Sequence, residues 1–364
     1  MTGEQILRTM FSFLPFVVCL FWSICYLVQI RKNDTPKRYM TAFLVTCVVL
    51  YLCHALFFTV GLPYPLECVW TFASLSVYPI FYGYLCRLTS SDYTLRKLLP
   101  WLVPGAIVAL AKYLMPDYEI DKLRLTLFAV QILCVCYFGM CKLNDFDKKL
   151  QAVYADTEGR DTTAVHHLLG AILLVSILSG LANTIGKGYF GTSIVLLATI
   201  STAFSSMLFA LSYICFCRNF TIDQLNEEVM EEAIAETRCD ETETIAEDAH
   251  EDTEMIGQKI ETLMVEQHYF LKHDLKISDL VMEIGSNRTY VSNYINSTYH
   301  CSFSDYMNNL RIEHAKNLML SAQKGTKLSQ IAEDSGYASE QSFYRNFRKF
   351  VGMTPAEWQA SNQQ

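Results

Sequence analysis

The chain divides into two halves that differ in their pattern of apolar and polar residues. Before residue 219, long apolar runs alternate with short polar loops, whereas most residues after Phe220 are polar. A helix needs about 20 apolar residues to cross a bilayer. Seven runs have about this length, which predicts seven membrane-spanning helices. These runs lie near residues 10–30, 39–60, 66–88, 99–115, 123–141, 167–186 and 192–217.

The charges of the loops predict how these helices are oriented. Basic residues are concentrated in the loops after the first, third and fifth runs: Arg31, Lys32, Lys37 and Arg38; Arg87, Arg96 and Lys97; Lys142, Lys148, Lys149 and Arg160. The loop at 61–65 has no basic residue, the loop at 186–191 has one, and the loop at 115–122 is acidic. Because cytoplasmic loops are enriched in Lys and Arg, we expect the N-terminus outside and the C-terminal half in the cytoplasm.

The C-terminal half contains a pattern typical of two helices joined by a tight turn. Residues 328–355 read LSQIAEDSGYASEQSFYRNFRKFVGMTP. Gly336 can take the left-handed conformation that ends a helix, and Ser339 can cap the next one. Phe343, Phe347 and Phe350 then fall on one helical face, which predicts that they face a core. The opposite face carries Glu340, Gln341, Tyr344, Arg345, Arg348 and Lys349. This arrangement predicts a helix-turn-helix whose second helix enters a DNA major groove.

An internal repeat predicts a second copy of this motif. KISDLVMEIG at 276–285 recurs as KLSQIAEDSG at 327–336, offset by 51 residues. With one extra turn residue in the second copy, Val291 and Ile295 correspond to Phe343 and Phe347. Residues 302–320 between the copies have the spacing of one amphipathic helix. We therefore predict an all-α chain: a seven-helix transmembrane bundle, then two helix-turn-helix units near 276–297 and 327–350, bridged by a linker helix.

Composition and charge agree with this division and add a third segment. The chain is 51% hydrophobic and 18% charged, which is too apolar for an ordinary soluble protein. Residues 221–254 carry 14 acidic side chains and one basic side chain, a net charge of −13. We predict a sensor domain at 1–219, an acidic connector at 220–254 and a DNA-binding domain at 255–364. The connector is either a solubilising tether or a polyanion that competes with DNA for the basic side chains of the DNA-binding domain.

Neither enzymatic nor metal chemistry is indicated by the sequence. The 13 cysteines lie mostly in apolar runs and form no repeated CxxC pair, so we expect reduced, structural cysteines. No catalytic motif and no cofactor-binding motif is found. Polar residues near the outer ends of the predicted spans, namely His54, Glu67 and Asn183, suggest a ligand-sensing site. The alternative is that such residues reach the membrane interface or bond a neighbouring helix.

Residues 260–360 resemble the C-terminal DNA-binding domain of the AraC/XylS family of bacterial transcription regulators. The resemblance rests on FSDYMNNLRIEHAKNLM in the linker helix and IAEDSGYASEQSFYRNFRKFVGMTPAEW after it. It implies an all-helical domain whose two recognition helices enter two adjacent major-groove segments of double-stranded DNA. It also implies base-reading positions, which here are Arg288, Thr289, Ser292 and Asn293, then Glu340, Gln341, Ser342 and Arg345. Arg348 and Lys349 are expected to contact phosphates.

The sequence departs from the family pattern in the first unit. Asn293, Asn296 and Ser297 occupy positions where Arg and Lys are common, and His300 occupies a position where glycine is usual. Residues 255–364 contain 11 basic and 11 acidic side chains, so the non-specific electrostatic attraction to DNA is small. We expect modest affinity and the binding of two copies of the chain, as a homodimer.

Together these features predict a transcription regulator in the cell membrane. Its partners would be DNA, the bilayer and a small-molecule or membrane signal acting at the membrane or outer face. The alternative is a transporter-like or enzymatic membrane domain whose occupancy is reported by the DNA-binding domain. Paired charges within the spans would favour that alternative, and none is apparent in the sequence.

Overall fold

The protein is described by a computed structural model that forms two compact units. The described residues are 3–29, 35–61, 63–115, 120–160, 162–185, 193–218, 220–227, 229, 251–321 and 326–362. The N-terminal unit comprises Met1–Phe146 with Thr162–Gln224, and the C-terminal unit comprises Asp147–Asp161 with Leu225–Gln364. Most of the predicted acidic connector, 220–254, lies outside the described residues. The short segment Asp147–Asp161 belongs to the C-terminal unit. The predicted domain boundary at residue 219 would have assigned this segment to the N-terminal domain.

The described part of the N-terminal unit is built of seven helices. They are α1 Gly3–Gln29, α2 Thr35–Thr59, α3 Tyr64–Thr89, α4 Leu95–Leu114, α5 Ile120–Gln151, α6 Thr163–Ile185 and α7 Ile194–Cys217. Among the described residues, α1, α2, α4, α5 and the helix that begins at Ile194 are long and apolar enough to cross a membrane. Several long apolar helices are therefore present, while the seven membrane spans stay a prediction.

Helix α5 is longer than its apolar run. The sequence predicts a span at 123–141, but the helix continues to Gln151. The extension carries charged residues, yet Leu143, Phe146 and Leu150 are buried at helical spacing. Because apolar length alone sets the predicted span, this amphipathic continuation was missed.

The core of the N-terminal unit is formed by side chains from several helices. Helix α1 packs on α2 and α7, α2 packs on α3, and α3 packs on α4. Tyr26 on α1 is fully buried, and its hydroxyl donates a 2.9 Å hydrogen bond to the Ser212 carbonyl oxygen on α7. The large buried side chains Met40, Leu44 and Phe81 extend this core along α2 and α3.

The described part of the C-terminal unit is also helical. Its helices are α8 Glu251–Val265, α9 Ile277–Ile284, α10 Arg288–Tyr299, α11 Phe303–Ser321, α12 Leu328–Asp334, α13 Glu340–Val351 and α14 Pro355–Asn362, with a 3-10 turn at Tyr269–Leu271. These bounds agree with the helices predicted at 276–297, 302–320 and 327–350. Every named element in the described residues is helical, which confirms the all-α prediction. One isolated antiparallel β-bridge pairs Tyr154 with Lys276.

Two hydrophobic cores lie on either side of the middle of α11. The first contains the α10 residues Val291 and Ile295, and the second contains the α13 residues Phe343 and Phe347. All four side chains are at most 1% exposed, which confirms the helical stripes predicted from their spacing. Each helix pair thus buries its apolar stripe and leaves its polar face outward.

Candidate nucleic-acid interface

Helix α13 combines a well-capped N-terminus with a polar outer face. The Ser339 hydroxyl oxygen accepts a 3.1 Å hydrogen bond from the Ser342 amide, which confirms the predicted cap. At the other end, Gly352 adopts the left-handed conformation with φ of 83°. The Phe343 and Phe347 rings face the core, so the opposite face is exposed. Its exposed members are Glu340, Gln341, Arg345, Arg348 and Lys349.

Ser342 differs from the other predicted base-reading residues of α13. Its side chain is fully buried next to Phe343 on the inner side of the helix. The amide nitrogen of Asn346 lies 3.1 Å from the Ser342 carbonyl oxygen and 3.4 Å from its hydroxyl oxygen. The Ser342 hydroxyl is therefore not part of the exposed face in this structure. Ser342 lies beside Phe343 on the side of α13 that packs against the core.

Two basic side chains of α13 contact carboxylates. The guanidinium of Arg345 lies 3.5 Å from the Asp156 carboxylate, and the Lys349 ammonium lies 2.5 Å from the Asp305 carboxylate. Both cations are 42% to 49% exposed, and pairs at such sites are weak. The two carboxylates differ in exposure, which is 9% for Asp156 and 29% for Asp305.

Helix α10 presents a less basic face. The Asn287 side chain caps the helix by accepting hydrogen bonds from the Thr289 and Tyr290 amides at 2.9 and 3.2 Å. Among the predicted base-reading positions, Thr289 and Asn293 are exposed and Arg288 and Ser292 are half-buried. This face offers hydroxyls and amides, with Arg288 as its one predicted basic contact.

The C-terminus of α10 is also unusual, because His300 there has a φ of 53°. That is the left-handed conformation a glycine would adopt at lower cost.

The structure brings a further pair of residues to α13 that sequence reasoning missed. Asp156 and Glu158 come from the segment between α5 and α6. The Glu158 carboxylate accepts a hydrogen bond from the Ser339 hydroxyl at the N-terminus of α13, beside the Asp156–Arg345 contact. A signal was present in the sequence: two acidic residues lie two positions apart, shortly after the apolar residues Val153 and Tyr154.

The predicted ligand-sensing residues are only partly described. Glu67 lies 3.2 Å from the ammonium of Lys112, which also lies 3.2 Å from Asp121. Arg124 completes this network through a 3.2 Å contact with Asp121. His54 is half-buried on α2, and the side chain of Asn183 lies outside the described part of the structure.

The network itself is balanced in charge. It contains two carboxylates and two cations, and Glu67, Lys112 and Asp121 all lie within the first or last turn of a helix. Such a cluster can anchor the ends of α3, α4 and α5 without any ligand. In the described residues, no group of three or more His, Cys, Asp or Glu side chains is placed to hold a metal ion.

Comparison with known proteins finds one matching family in the C-terminal part of the chain. The family described as "Helix-turn-helix domain" matches residues 280–361. An uncharacterised HTH-type transcriptional regulator of Bacillus subtilis (strain 168) is 28% identical over 91 residues, 25% of this chain and 12% of its own length. A Staphylococcus aureus (strain MSSA476) regulator of the same description is 32% identical over 94 residues, 26% of this chain and 12% of its own.

A further match is the melibiose operon regulatory protein of Escherichia coli (strain K12), which is 28% identical over 90 residues, 25% of this chain and 29% of its own length. The matched segment thus spans less than a third of any of these relatives. No solved structure matches the chain significantly. These matches support an AraC-type helix-turn-helix domain at the C-terminus, the class of domain that the capped, polar-faced helix α13 indicates.

Proposed function

We propose that the protein is a membrane-bound transcription regulator whose C-terminal unit binds double-stranded DNA in a sequence-specific manner. The observation that carries the proposal is helix α13 inside the matched helix-turn-helix segment. Its N-terminus is capped by Ser339, its phenylalanines fix it to the core, and Gln341, Arg345 and Arg348 are exposed on one face. These are the side chains that address base edges and phosphates in a major groove.

The two proposed recognition helices, α10 and α13, differ in the number of basic side chains that they offer to DNA. Helix α13 supplies three basic side chains on its outer face, whereas the predicted contacts of α10 include one, Arg288. Both helices belong to helix pairs with the same sequence pattern, so the proposal places them in adjacent major-groove segments. Because α10 reads mainly through amides and hydroxyls, we expect a homodimer on DNA to provide the missing affinity.

Membrane attachment is supported by the apolar helices of the N-terminal unit. Five described helices can cross a bilayer by length and composition, and the basic loops favour a cytoplasmic C-terminal unit. This orientation makes DNA accessible to α10 and α13. The N-terminal unit would receive the signal at the membrane or its outer face. The signal would change the fraction of molecules whose C-terminal unit can bind DNA.

Genome-wide mapping of DNA bound to the intact protein in cells tests the proposal. We expect enrichment at discrete sites, loss of that enrichment in Arg345→Ala, and retention in Lys316→Ala. Lys316 is a suitable control because it is a basic residue of α11 that pairs with Glu313 and is not part of the proposed reading surface. Equal maps for the wild type and Arg345→Ala would contradict sequence reading by α13.

The membrane location is tested separately by inserting a topology reporter. A reporter that is active only outside the cytoplasm should be active after Gly61 and inactive after Ser91. The opposite result would invert the proposed orientation.

Among the described residues, the ion network of Glu67, Lys112, Asp121 and Arg124 is an observation that bears on the transporter-like or enzymatic alternative. Its charges balance and three of its members lie at helix ends, so it does not resemble a substrate path through the middle of the bilayer. Substrate uptake in cells carrying a DNA-binding-deficient variant distinguishes the two functions. A transporter would still take up its substrate, whereas a sensor would show no uptake.

A further inference from the structure

The segment Asp147–Asp161, which we call the docking segment, packs on the C-terminal unit through its backbone. The Ala155 amide donates a 2.9 Å hydrogen bond to the Leu275 carbonyl oxygen, and the Ile277 amide donates one of 2.9 Å to the Val153 carbonyl oxygen. These two bonds flank the Tyr154–Lys276 bridge. The docking segment therefore adds a short antiparallel pairing immediately before helix α9.

Side chains of the linker helix α11 hold the same segment. The Ala155 carbonyl oxygen accepts two hydrogen bonds of 2.7 Å, one from the Ser304 hydroxyl and one from the Asn308 amide. Val153, Tyr154 and Ala155 are at most 2% exposed, and Ala155 joins the first hydrophobic core of the unit. The docking is thus specific, because it combines paired backbone groups, satisfied side chains and buried apolar surface.

The end of the docking segment places two carboxylates on α13. Asp156 is 9% exposed and lies 3.5 Å from Arg345. The Glu158 carboxylate accepts a hydrogen bond from the hydroxyl of the capping residue Ser339. The Glu158 amide donates a 3.1 Å hydrogen bond to the Asp156 carboxylate, which fixes the two residues relative to each other. Carboxylates at the N-terminus of a helix and beside an arginine occupy the positions that a DNA phosphate or a base edge would require.

We propose that the docking segment is an intramolecular competitor of DNA, and that its release from α13 is the step by which the membrane region controls DNA binding. This inference rests on the proposed function and specifies its regulation. The docking segment begins near the C-terminal end of α5 and ends just before α6, so the chain ties it at both ends to helices of the N-terminal unit. A change in the ends of α5 and α6 would therefore act on Asp156 and Glu158 directly, without help from the acidic connector.

The full-length protein in lipid nanodiscs provides the test, with duplexes selected from a random-sequence pool by either the wild type or the variant. The variant Asp156→Asn with Glu158→Gln keeps the shape of both side chains and removes both charges. We expect its DNA affinity to rise roughly 5- to 30-fold, because the variant neutralises two carboxylates that compete with DNA, one paired with Arg345 and one hydrogen-bonded to Ser339. Asp145→Asn is the matched control, because Asp145 is an exposed carboxylate on α5 outside the docking segment, and it should leave the affinity unchanged.

Hydrogen exchange separates competition from a permanent structural role. If the segment leaves when DNA binds, the Ala155 and Ile277 amides should exchange faster in the wild-type complex than in the free protein. Unchanged protection of these amides at saturating DNA, or equal affinities for the wild type and the double variant, would overturn the inference and leave the proposed function intact. If neither protein selects any DNA, the proposed function fails and the inference fails with it.

Discussion

Arg311 on α11 donates a 2.7 Å hydrogen bond from Nε to the carbonyl oxygen of Phe270. A second bond of 2.7 Å runs from its Nη2 to the Lys272 carbonyl oxygen, and its guanidinium carbon lies 5.5 Å from the centre of the Tyr337 ring. Arg311 is only 1% exposed, and this burial lowers its pKa while burial also raises the pKa of Tyr337. Because an arginine stays ionised in proteins, carbonyl dipoles and an aromatic face must stabilise the charge. Arg311 thereby ties the turn before α9 to the turn after α12.

Replacing Arg311 should destabilise the C-terminal unit strongly. Arg311→Lys cannot make both carbonyl bonds in the same geometry and leaves a buried charge poorly paired, so we expect a loss of about 2–4 kcal/mol. Native-state hydrogen exchange of the α11 amides in the full-length protein measures this loss. Lys316→Ala, which removes a half-buried lysine paired with the exposed Glu313 on the same helix, should cost no more than about 0.5 kcal/mol. Similar losses for the two variants would show that the Arg311 bonds contribute little.

Gly336 is required for a close approach of two backbones as well as for its conformation. Its φ is +82°, and a Cβ there would lie 2.8 Å from the Cα and carbonyl oxygen of Leu271. Gly352 has a φ of +83° but nothing within 4 Å of the Cβ position. We expect Gly336→Ala to cost about 2–4 kcal/mol, and Gly352→Ala about 1 kcal/mol from its conformation alone. The comparison uses hydrogen exchange of α12 and α13, and equal costs would rule out the Leu271 clash.

The left-handed residue at the end of α10 offers a stabilising substitution. His300 has a φ of 53° and its amide donates to the Asn296 carbonyl oxygen at 3.1 Å. A glycine keeps this cap without a Cβ penalty, so His300→Gly should stabilise the unit by roughly 0.5–1 kcal/mol. His300→Ala removes the imidazole but keeps the penalty, and it should show no such gain. A gain of equal size in both variants would instead assign the effect to the imidazole.

The helices of the C-terminal unit could be predicted because their signals are local. The caps at Asn287 and Ser339, the glycine turn and the spacing of Phe343 and Phe347 all lie within a few residues of the element they define. A helix with a periodic apolar face buries that face against the core. A side-chain oxygen just before a helix accepts hydrogen bonds from the free amides of its first turn. The repeat then extended the same prediction to α9 and α10.

The ion pairs and the docking segment could not be predicted in this way. Asp156 meets Arg345 across 189 positions of sequence, and Lys349 meets Asp305 across 44. Periodicity assigns Lys349 to an outer face but does not say which carboxylate the fold brings there. The same reason explains why the pairing of Glu67 with Lys112 was not apparent from the pattern of apolar runs.

His314 should make the stability of the C-terminal unit depend on pH. Partial burial lowers its pKa, and the neighbouring His268, whose ring centre lies 5.9 Å away, lowers it further. The folded state therefore binds fewer protons than the unfolded state, in which the pKa is close to 6.5. This contribution to stability is complete above that pH and is lost as the pH falls below it.

The test is the change in free energy of unfolding of the C-terminal unit between about pH 7.5 and about pH 5.5, a window that brackets the ordinary histidine pKa. His314→Gln should flatten the loss of stability over this range. His273→Gln, which removes an exposed imidazole from the same unit, is measured beside it for comparison. An unchanged slope in His314→Gln would assign the pH dependence to other groups.

Two exposed residues of α13 should affect DNA binding in different ways. Gln341 can form two hydrogen bonds with an adenine edge, whereas Arg348, farther along the helix, is placed for a phosphate. Gln341→Ala should weaken binding to the preferred sequence by about 1–3 kcal/mol and leave the salt dependence unchanged. Arg348→Ala should weaken binding to all sequences and reduce the slope of log affinity against log salt by about one.

Titrations of preferred and scrambled duplexes at several salt concentrations separate these effects, with Lys316→Ala as the control for loss of a positive charge. A change of slope in Gln341→Ala, or sequence-dependent weakening in Arg348→Ala, would exchange the two assignments. Equal weakening by Lys316→Ala and Arg348→Ala, with no effect of Gln341→Ala, would mean that the domain attracts DNA by charge alone. Since the C-terminal residues 255–364 carry equal numbers of basic and acidic side chains, charge alone is a weak source of affinity, and base contacts such as those of Gln341 and Arg345 have to provide the specificity.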